Sequence, residues 1–279
     1  MDYLHLAVRK GQIDMVEKVM KNSVEFGIWY HAKDSDVGLT AFHHTCALGK
    51  VSIAELFIHN HVELNIKLNT KCNIDGTPFF YACMLGQTKI AEILVKNSET
   101  IKMDLTSRSL FSATAFQFAC SANHFNIVEM MIRNSNFYNF DYTAKDRHMQ
   151  TGFHRACENG SKEVVEIIIR NSKSFDFDLT APDCNVQTGF HNACSFGSKE
   201  VVEIIIRNSK SNDFDLTAKD INGETGIQLA KKYGYSSIVD IIKAEKPDMD
   251  YPLIGEASDP VTYINIRSDI QSVFRSVVE

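Results

Sequence analysis

The sequence is dominated by a segment that recurs every 37 residues. Residues 151–173, TGFHRACENGSKEVVEIIIRNSK, return as TGFHNACSFGSKEVVEIIIRNSK at 188–210, and residues 160–174 are identical to residues 197–211. Related segments begin at Thr40, Thr77, Thr114, Thr151, Thr188 and Thr225. A fixed period of this size indicates a repeat architecture in which each unit packs only on its neighbours. We therefore expect a row of similar units and no single globular core.

Each unit has the pattern of two helices followed by a polar connection. The first helix runs from the threonine to a residue suited to a left-handed helix end: Gly11, Gly49, Gly86, Asn123, Gly160, Gly197 and Gly234. The second helix, as at 161–171, has an apolar face. The connection, as in DLTAKD at 215–220, indicates a hairpin or an extended link. The first unit starts at Asp2 and is one residue longer, so seven units extend to about residue 246.

These units resemble the ankyrin repeat. The characteristic T-P-L-H-x-A motif of that family stands here as TAFHHTC at 40, TPFFYAC at 77, TAFQFAC at 114, TGFHRAC at 151, TGFHNAC at 188 and TGIQLAK at 225. The resemblance covers residues 2–246 and implies an all-α solenoid of seven helix-turn-helix units. Its period departs from the usual 33 residues by four, and the additional residues follow the second helix, as in NSKSFDFDLT at 171–180.

The four additional residues form either an extra helical turn or a bulged loop. They bring aromatic side chains that we expect to pack against adjacent repeats: Phe137, Tyr138, Phe140, Phe175, Phe177 and Phe214. The alternative is an aromatic ledge for a partner. The family's glycine at the end of the second helix is replaced by serine in five units and by His61 in the second, and the hairpin asparagine is mostly threonine.

The pattern stops after Lys246, so residues 1–246 form the predicted repeat array and 247–279 a separate tail. The prolines at 247, 252 and 260 interrupt helix. From Arg267 onward, Ile270, Val273, Phe274 and Val277 have the spacing of an amphipathic helix. We expect this helix to cap repeat seven, because the end of a solenoid needs a polar cover. The alternatives are a helix for a partner and the entry to a further domain.

The cysteines and histidines recur in register, which indicates structural roles. Cys46, Cys83, Cys120, Cys157 and Cys194 occupy one position and are predicted to be reduced core residues, whereas Cys72 and Cys184 lie in connections where they can be exposed. The resemblance implies that His5, His43, His154 and His191 hydrogen-bond the hairpin backbone with the motif threonine. The pairs His43–His44 and His59–His61 lack the ligand set of a metal site.

No catalytic signature is present, so we expect no enzymatic activity, no cofactor and no metal. An acidic column (Glu17, Glu55, Glu92, Glu129, Glu166, Glu203 and Asp240) precedes a basic column by four residues, which predicts a solvated outer face with weak ion pairs. The net charge of −6 argues against nucleic acid as the main partner, and no run of apolar residues is long enough to span a membrane. Without an export signal, a cytoplasmic location is expected, with the nucleus as an alternative.

The resemblance places partner binding on a concave face made of hairpin tips and first helices. Mapping these positions predicts an apolar patch in repeats three and four with polar neighbours in repeats five and six. The candidate partner-binding residues are Tyr81, Met84, Leu85, Leu110, Phe111, Phe118, Arg147, His148, Arg155, Glu158, Asn159 and Asn192. Aromatic and arginine side chains are frequent anchors of protein interfaces.

The predicted function is therefore that of a monomeric, non-catalytic scaffold that binds a protein or peptide. The alternative is a substrate-recruiting or regulatory module of a larger enzyme or signalling protein. Binding of a small molecule or a nucleic acid is the third and weakest hypothesis, since the groove is flat and no basic aromatic stripe exists.

Overall fold

The structure, a computed structural model, describes residues 3–22 and 29–247. These residues form helices and turns, with one isolated β-bridge between Arg108 and Thr114. The helices are α1 (Tyr3–Arg9), α2 (Ile13–Lys21), α3 (Ala41–Ala47), α4 (Val51–Asn60), α5 (Pro78–Met84), α6 (Thr88–Lys96), α7 (Ser98–Ile101), α8 (Ala115–Ser121), α9 (Phe125–Arg133), α10 (Gly152–Glu158), α11 (Lys162–Asn171), α12 (Gly189–Ser195), α13 (Lys199–Arg207), α14 (Gly226–Lys232) and α15 (Ser236–Glu245). The predicted pairs of helices are confirmed.

The described residues fall into two compact units. The first contains residues up to Ala115 together with Arg133–Phe140, and its helices are α1–α7. The second contains Phe116–Ile132 and the described residues from Asp141, with α10–α15 and nearly all of α8 and α9. In each unit, first helices pack on first helices and second helices on second helices, as α10 does on α12 and α11 on α13.

The motif threonine and histidine fix the start of the first helix. In repeat five, the backbone N–H of Thr151 donates to His154 Nδ1 (3.2 Å), and the Thr151 hydroxyl lies 2.9 Å from the same nitrogen. The other ring nitrogen of His154 lies 3.1 Å from the carbonyl oxygen of Gln187, in the hairpin that precedes repeat six. His43 bonds the carbonyl of Gly76 in the same way. The predicted structural role of these pairs is confirmed.

In repeats two, three, five and six, the additional residues form an extra hydrogen-bonded helical turn, which excludes the bulged loop there. In repeat three this turn is the short helix α7, and Lys102 ends it with a φ of 52°. Asn65, Asp176 and Asp213 occupy the same position with φ values of 49°, 51° and 55°. Asparagine and aspartate tolerate this left-handed conformation better than most residues.

Aromatic residues that follow this turn pack on the first helix of the preceding repeat. Phe140 stacks on Phe79 in the first unit, with ring centroids 6.4 Å apart. In the second unit, Phe177 stacks on Phe116 at 6.0 Å and Phe214 on Phe153 at 5.9 Å. The packing interpretation therefore holds for these residues, whereas Phe137 is exposed over 80% of its surface.

The threonines that replace the hairpin asparagine belong to a local turn. The carboxylates of Asp104, Asp141, Asp178 and Asp215 each accept hydrogen bonds from the backbone N–H and the hydroxyl of the threonine two residues later. Aspartate stabilises such turns because its side chain replaces a backbone acceptor. The DLT sequence thus closes each connection before the hairpin.

The five cysteines of the repeated position are buried as predicted, and burial raises the pKa of their thiols. Cys184 is exposed, as expected. The expected exposure of Cys72 is wrong: it is buried, and its Sγ lies 3.3 Å from the hydroxyl of Tyr81. The tail at 248–279, with its predicted amphipathic helix, lies outside the described residues, as does Ser23.

The outer charge columns include close pairs within one helix and between neighbouring repeats. Glu17 and Lys21 have the predicted i,i+4 spacing, at 3.7 Å. Arg170 instead reaches Glu129 of the preceding repeat, at 4.0 Å. All four side chains are substantially exposed, so each pair contributes at most about 0.2–1 kcal/mol.

Candidate functional site

A carboxylate holds most of the hairpin tips. In repeat one, Asp34 Oδ1 accepts the backbone N–H groups of Val37, Gly38 and Leu39 at 2.9–3.2 Å. Asp146, Asp183 and Asp220 of the second unit each accept two backbone N–H groups in the same way. These bonds give the tips a defined conformation that does not depend on a partner.

Backbone hydrogen bonds join neighbouring tips into a ridge within each unit. In the first unit, the N–H of Asn73 donates to Val37 O and that of Leu110 to Ile74 O, each at 3.0 Å. In the second unit, the N–H of Cys184 donates to His148 O at 3.1 Å, and that of Ile221 to Asn185 O at 2.9 Å. Each ridge presents the side chains of successive repeats at a regular spacing.

One tip position adopts the left-handed conformation in every hairpin, with and without glycine. Gly38 and Gly223 occupy it in the outermost hairpins, whereas Met149 and Val186 occupy it in the second unit with φ values of 58° and 59°. A β-branched residue is strained there. Both side chains are nearly half exposed, at 45% and 47%. Sequence reasoning missed them, although the register with Gly38 and Gly223 was a detectable signal.

We call the fourth residue of each first helix the inner position; examples are His44 and Tyr81. Its side chain contacts a residue of the preceding hairpin. His44 Nε2 lies 2.8 Å from Asp34 Oδ2. Burial raises the Asp34 pKa, but the hydrogen bonds from His44 and the tip backbone outweigh burial and hold that pKa below its usual value. The hydroxyl of Tyr81 contacts Cys72, and burial, reinforced by this contact, raises the Tyr81 pKa. These buried side chains therefore contact the hairpin from the side of the first helix.

Half of the predicted contact residues are buried inside the fold. The expectation that they face an open groove is wrong for six of them, which are buried at 0–9% exposure: Tyr81, Met84, Phe118, Arg155, Glu158 and Asn192. The error arose because hairpin residues occupy space that was assumed to be open, as Cys72 does beside Tyr81 and Asp146 beside Arg155. Any contribution of these six residues to binding stays a prediction.

Repeat five contains a buried charge cluster at this inner position. Arg155 Nε donates to Asp146 Oδ2 at 2.9 Å, its Nη2 donates to the same oxygen, and its Nη1 donates to Glu158 Oε2 at 3.3 Å. Burial raises the pKa of Glu158, and Arg155 opposes that shift. Removing one member of such a cluster leaves an uncompensated buried charge, so the cluster fixes the position of the tip.

Asn192 holds the same position in repeat six without forming such a pair. It is 1% exposed, and both its Nδ2 and its Oδ1 lack a hydrogen-bond partner among the described residues. Ser195, at the position of Glu158, has an unpartnered Oγ. Buried polar atoms without partners cost stability, on the order of 1–3 kcal/mol.

Asn192→Leu is expected to stabilise the second unit by about 1–2 kcal/mol, because it removes this cost. Leu229 occupies the same position in repeat seven and is buried at 1% exposure, so the fold accepts leucine there. Urea unfolding followed by circular dichroism measures the change. A lower midpoint than that of the original chain would show that the amide is satisfied in solution.

The remaining six predicted residues reach the surface. Leu110 is 61% exposed, and Arg147 is exposed. Leu85, Phe111, His148 and Asn159 are half-buried. Leu85, Leu110 and Phe111 belong to the first unit, and Arg147, His148 and Asn159 to the second. The structure therefore supports an accessible tip surface in each unit, with the tips more open than the helices behind them.

The described residues offer neither a metal-binding cluster nor a membrane-spanning helix. Within residues 3–22 and 29–247, no group of three or more His, Cys, Asp or Glu side chains could hold a metal ion. In the same ranges, no helix combines the length and apolar character that crossing a membrane requires.

The family model described as ankyrin repeats matches three times, over residues 4–107, 100–183 and 153–252. The chain belongs to the ankyrin repeat family. The fold resemblance suggested by the motif is therefore confirmed, with a longer repeat than is usual for ankyrin units. No curated protein sequence matches the chain.

Solved structures support the same ankyrin fold. The crystal structure of the human ASB11 ankyrin repeat domain matches with a TM-score of 0.67 and 16% sequence identity. The match covers 86% of this chain and 97% of the ASB11 domain. At this identity the similarity concerns the fold alone. Ankyrin repeats generally serve as protein–protein interaction modules.

Proposed function

We propose that this chain is a non-catalytic scaffold that binds a protein or peptide through its hairpin tips. The observation that carries the proposal is that large apolar side chains are exposed at hairpin tips of defined conformation. Buried carboxylates hold these tips in the second unit, and the Ser109 hydroxyl and a backbone hydrogen bond hold Phe111 and Leu110 in the first. A rigid surface loses little conformational entropy when it binds. The net charge of −6 favours a protein over a nucleic acid as the partner.

In the first unit, the proposed contact is centred on Leu110 and Phe111, with Leu85 behind them. Leu110 presents most of its side chain to solvent, and the backbone bond to Ile74 fixes its position. The N–H of Phe111 donates to the hydroxyl of Ser109. Apolar and aromatic side chains on a preorganised loop are suited to act as anchors in a partner's pocket.

In the second unit, the proposed contact joins Arg147 and His148 to an apolar row. The row consists of Met149, Val186 and Ile221, the last of which is 64% exposed. Met149 and Val186 hold a conformation that glycine would adopt at lower cost. Backbone strain in a structure is often retained at functional sites, so this strain supports a binding role.

The six buried candidates support the tips instead of contacting the partner directly in this proposal. Tyr81 and Arg155 illustrate the role, since each bonds the residue that holds its own hairpin. The reduced, buried core thiols fit a reducing compartment such as the cytoplasm.

Affinity purification from the native source tests the proposal. Leu110→Ser with Phe111→Ser should remove a specific set of proteins, because it deletes the anchors without opening the core. Val62→Ser is the matched control, because Val62 is 76% exposed in a loop of the same unit, away from the tips. Identical protein sets from both variants and the original chain would exclude the first unit's tips as the binding surface.

A further inference from the structure

The hairpin tips of the second unit turn their basic side chains outward and hold their acidic side chains inside. Lys145 and Lys219 are half-buried and Arg147 is exposed. In contrast, Asp146 and Asp220 are buried, at 5% and 6% exposure. Successive side chains of an extended segment point to opposite sides. Because burial alternates in this way, Lys145 and Arg147 lie on the outer side of the hairpin before α10, and Lys219 lies on the outer side of the hairpin before α14.

The acidic side chains of these tips are occupied within the fold. Asp146 bonds Arg155, and Asp183 accepts two backbone N–H groups. The carboxylate of Glu224 lies 2.9 Å from Lys232 Nζ. The exposed aspartates that precede the hairpins bond the threonines of their own turns. The charged groups of the tips that a partner can contact are therefore basic, although the chain as a whole has a net charge of −6.

An apolar row accompanies these basic side chains. Met149, Val186 and Ile221 are 45%, 47% and 64% exposed, one in each of three hairpins that backbone hydrogen bonds join. In the middle hairpin, the positions of the basic residues are held by Pro182 and Cys184. The centre of the surface is therefore uncharged and its two ends are basic. We define the basic tip surface as the following residues: Lys145, Arg147, Met149, Val186, Lys219 and Ile221.

We propose that the basic tip surface binds an extended acidic peptide segment whose carboxylates flank a large apolar side chain. This inference rests on the proposed function of the tips and names the class of partner. The carboxylates pair with Arg147 and Lys219 at the two ends, and the apolar side chain packs on Val186 between them. Such complementary charge selects among partners and fixes the register of the bound segment. Nucleic acid offers phosphates along its whole length, which match the basic ends but not the uncharged centre.

Selection from a random peptide library displayed on phage, with the full-length chain as bait, tests this class of partner. The selected sequences should be enriched in aspartate and glutamate on both sides of a large apolar residue. A labelled synthetic copy of the strongest one should bind the tip variant, Arg147→Glu with Lys219→Glu, at least about ten-fold more weakly, because repulsion replaces attraction at both ends. The control variant, Lys173→Glu with Lys210→Glu, makes the same change of charge at exposed sites after α11 and α13 and should leave the affinity unchanged. Circular dichroism checks that each variant keeps its helices.

Replacing the carboxylates of the selected peptide by amides gives a second measurement, which needs no variant of the chain, and should also weaken binding. Selected peptides that lack acidic residues but lose affinity for the tip variant would overturn the acidic class and leave the proposed function of the tips standing. Failure to select any peptide, or equal affinities for the tip and control variants, would also overturn the inference, whereas the affinity purification with Leu110 and Phe111 replaced tests the proposed function separately. Tighter binding of a labelled single-stranded oligonucleotide than of the selected peptide would assign the surface to nucleic acid instead.

Discussion

Ile168→Asp in repeat five is expected to destabilise the second unit by at least about 4 kcal/mol, because it places an unpaired charge in the core. Ile168 is completely buried in α11, which packs against α10 and α13. Because repeats stabilise one another pairwise, disrupting an inner repeat uncouples the repeats on both of its sides. Urea unfolding monitored by circular dichroism should show a large fall in the midpoint or a loss of the cooperative transition.

Ile242→Asp is the matched control for this prediction. Ile242 is also completely buried, but it lies in α15 of repeat seven, the last repeat of the array. Unfolding of an end repeat leaves the interfaces of the inner repeats intact, so a loss of about half that size is expected. Equal midpoints for the two variants would show that the unit unfolds as one block, independent of position.

Acid is expected to destabilise the chain through its buried histidines. Burial lowers the pKa of His43 to about 3, and it also lowers the pKa values of His44, His154 and His191. An unfolded histidine has a pKa of about 6.5, so below that pH the unfolded chain binds protons that the folded chain does not. The stabilising contribution is therefore complete above about pH 6.5 and is lost as the pH falls. For His43 the loss is at most about 1.4 kcal/mol per pH unit, down to its folded pKa of about 3.

A glutamine substitution isolates this effect, because the chain already uses glutamine at the same position. Gln117 Nε2 donates to Gln150 O at 2.7 Å, and Gln228 Oε1 accepts the N–H of Thr225 at 2.8 Å. His154→Gln with His191→Gln can thus keep the bonds to the threonine and the hairpin. The double variant should match the original chain near neutral pH and be more stable than it near pH 5, because it removes two groups that take up protons on unfolding. Parallel curves of stability against pH would contradict the account.

The repeat architecture could be predicted from sequence because each residue that the fold requires recurs at the same position in several repeats. The threonine, the histidine and the core cysteine recur at fixed spacing, so their structural roles were readable from one chain. The extra turn after the second helix was predicted only as one of two alternatives, the other being a bulged loop. Its left-handed end is formed by Asn65, Lys102 and Asp176, and these residue types do not by themselves indicate a helix end.

The candidate surface was harder to predict, because exposure depends on contacts between segments. Tyr81 and Arg155 vary between repeats as binding residues do, but each is matched to its own hairpin residue, Cys72 or Asp146. Variation that compensates between a first helix and the hairpin before it cannot be distinguished from variation for a partner until the contacts are known. The hairpin tips lie where the resemblance to the ankyrin repeat implies.

Site-specific photocrosslinking tests the proposed binding surface most directly. A photoreactive phenylalanine analogue at Phe111, expressed in the native source, should crosslink to a discrete protein, whereas the same analogue at Val62 should not. The partner identified in this way should lose affinity for the variant with serine at Leu110 and Phe111, by at least about ten-fold if these residues are anchors. Crosslinks from Val62 alone, or none from Phe111, would contradict a binding site at the hairpin tips of the first unit.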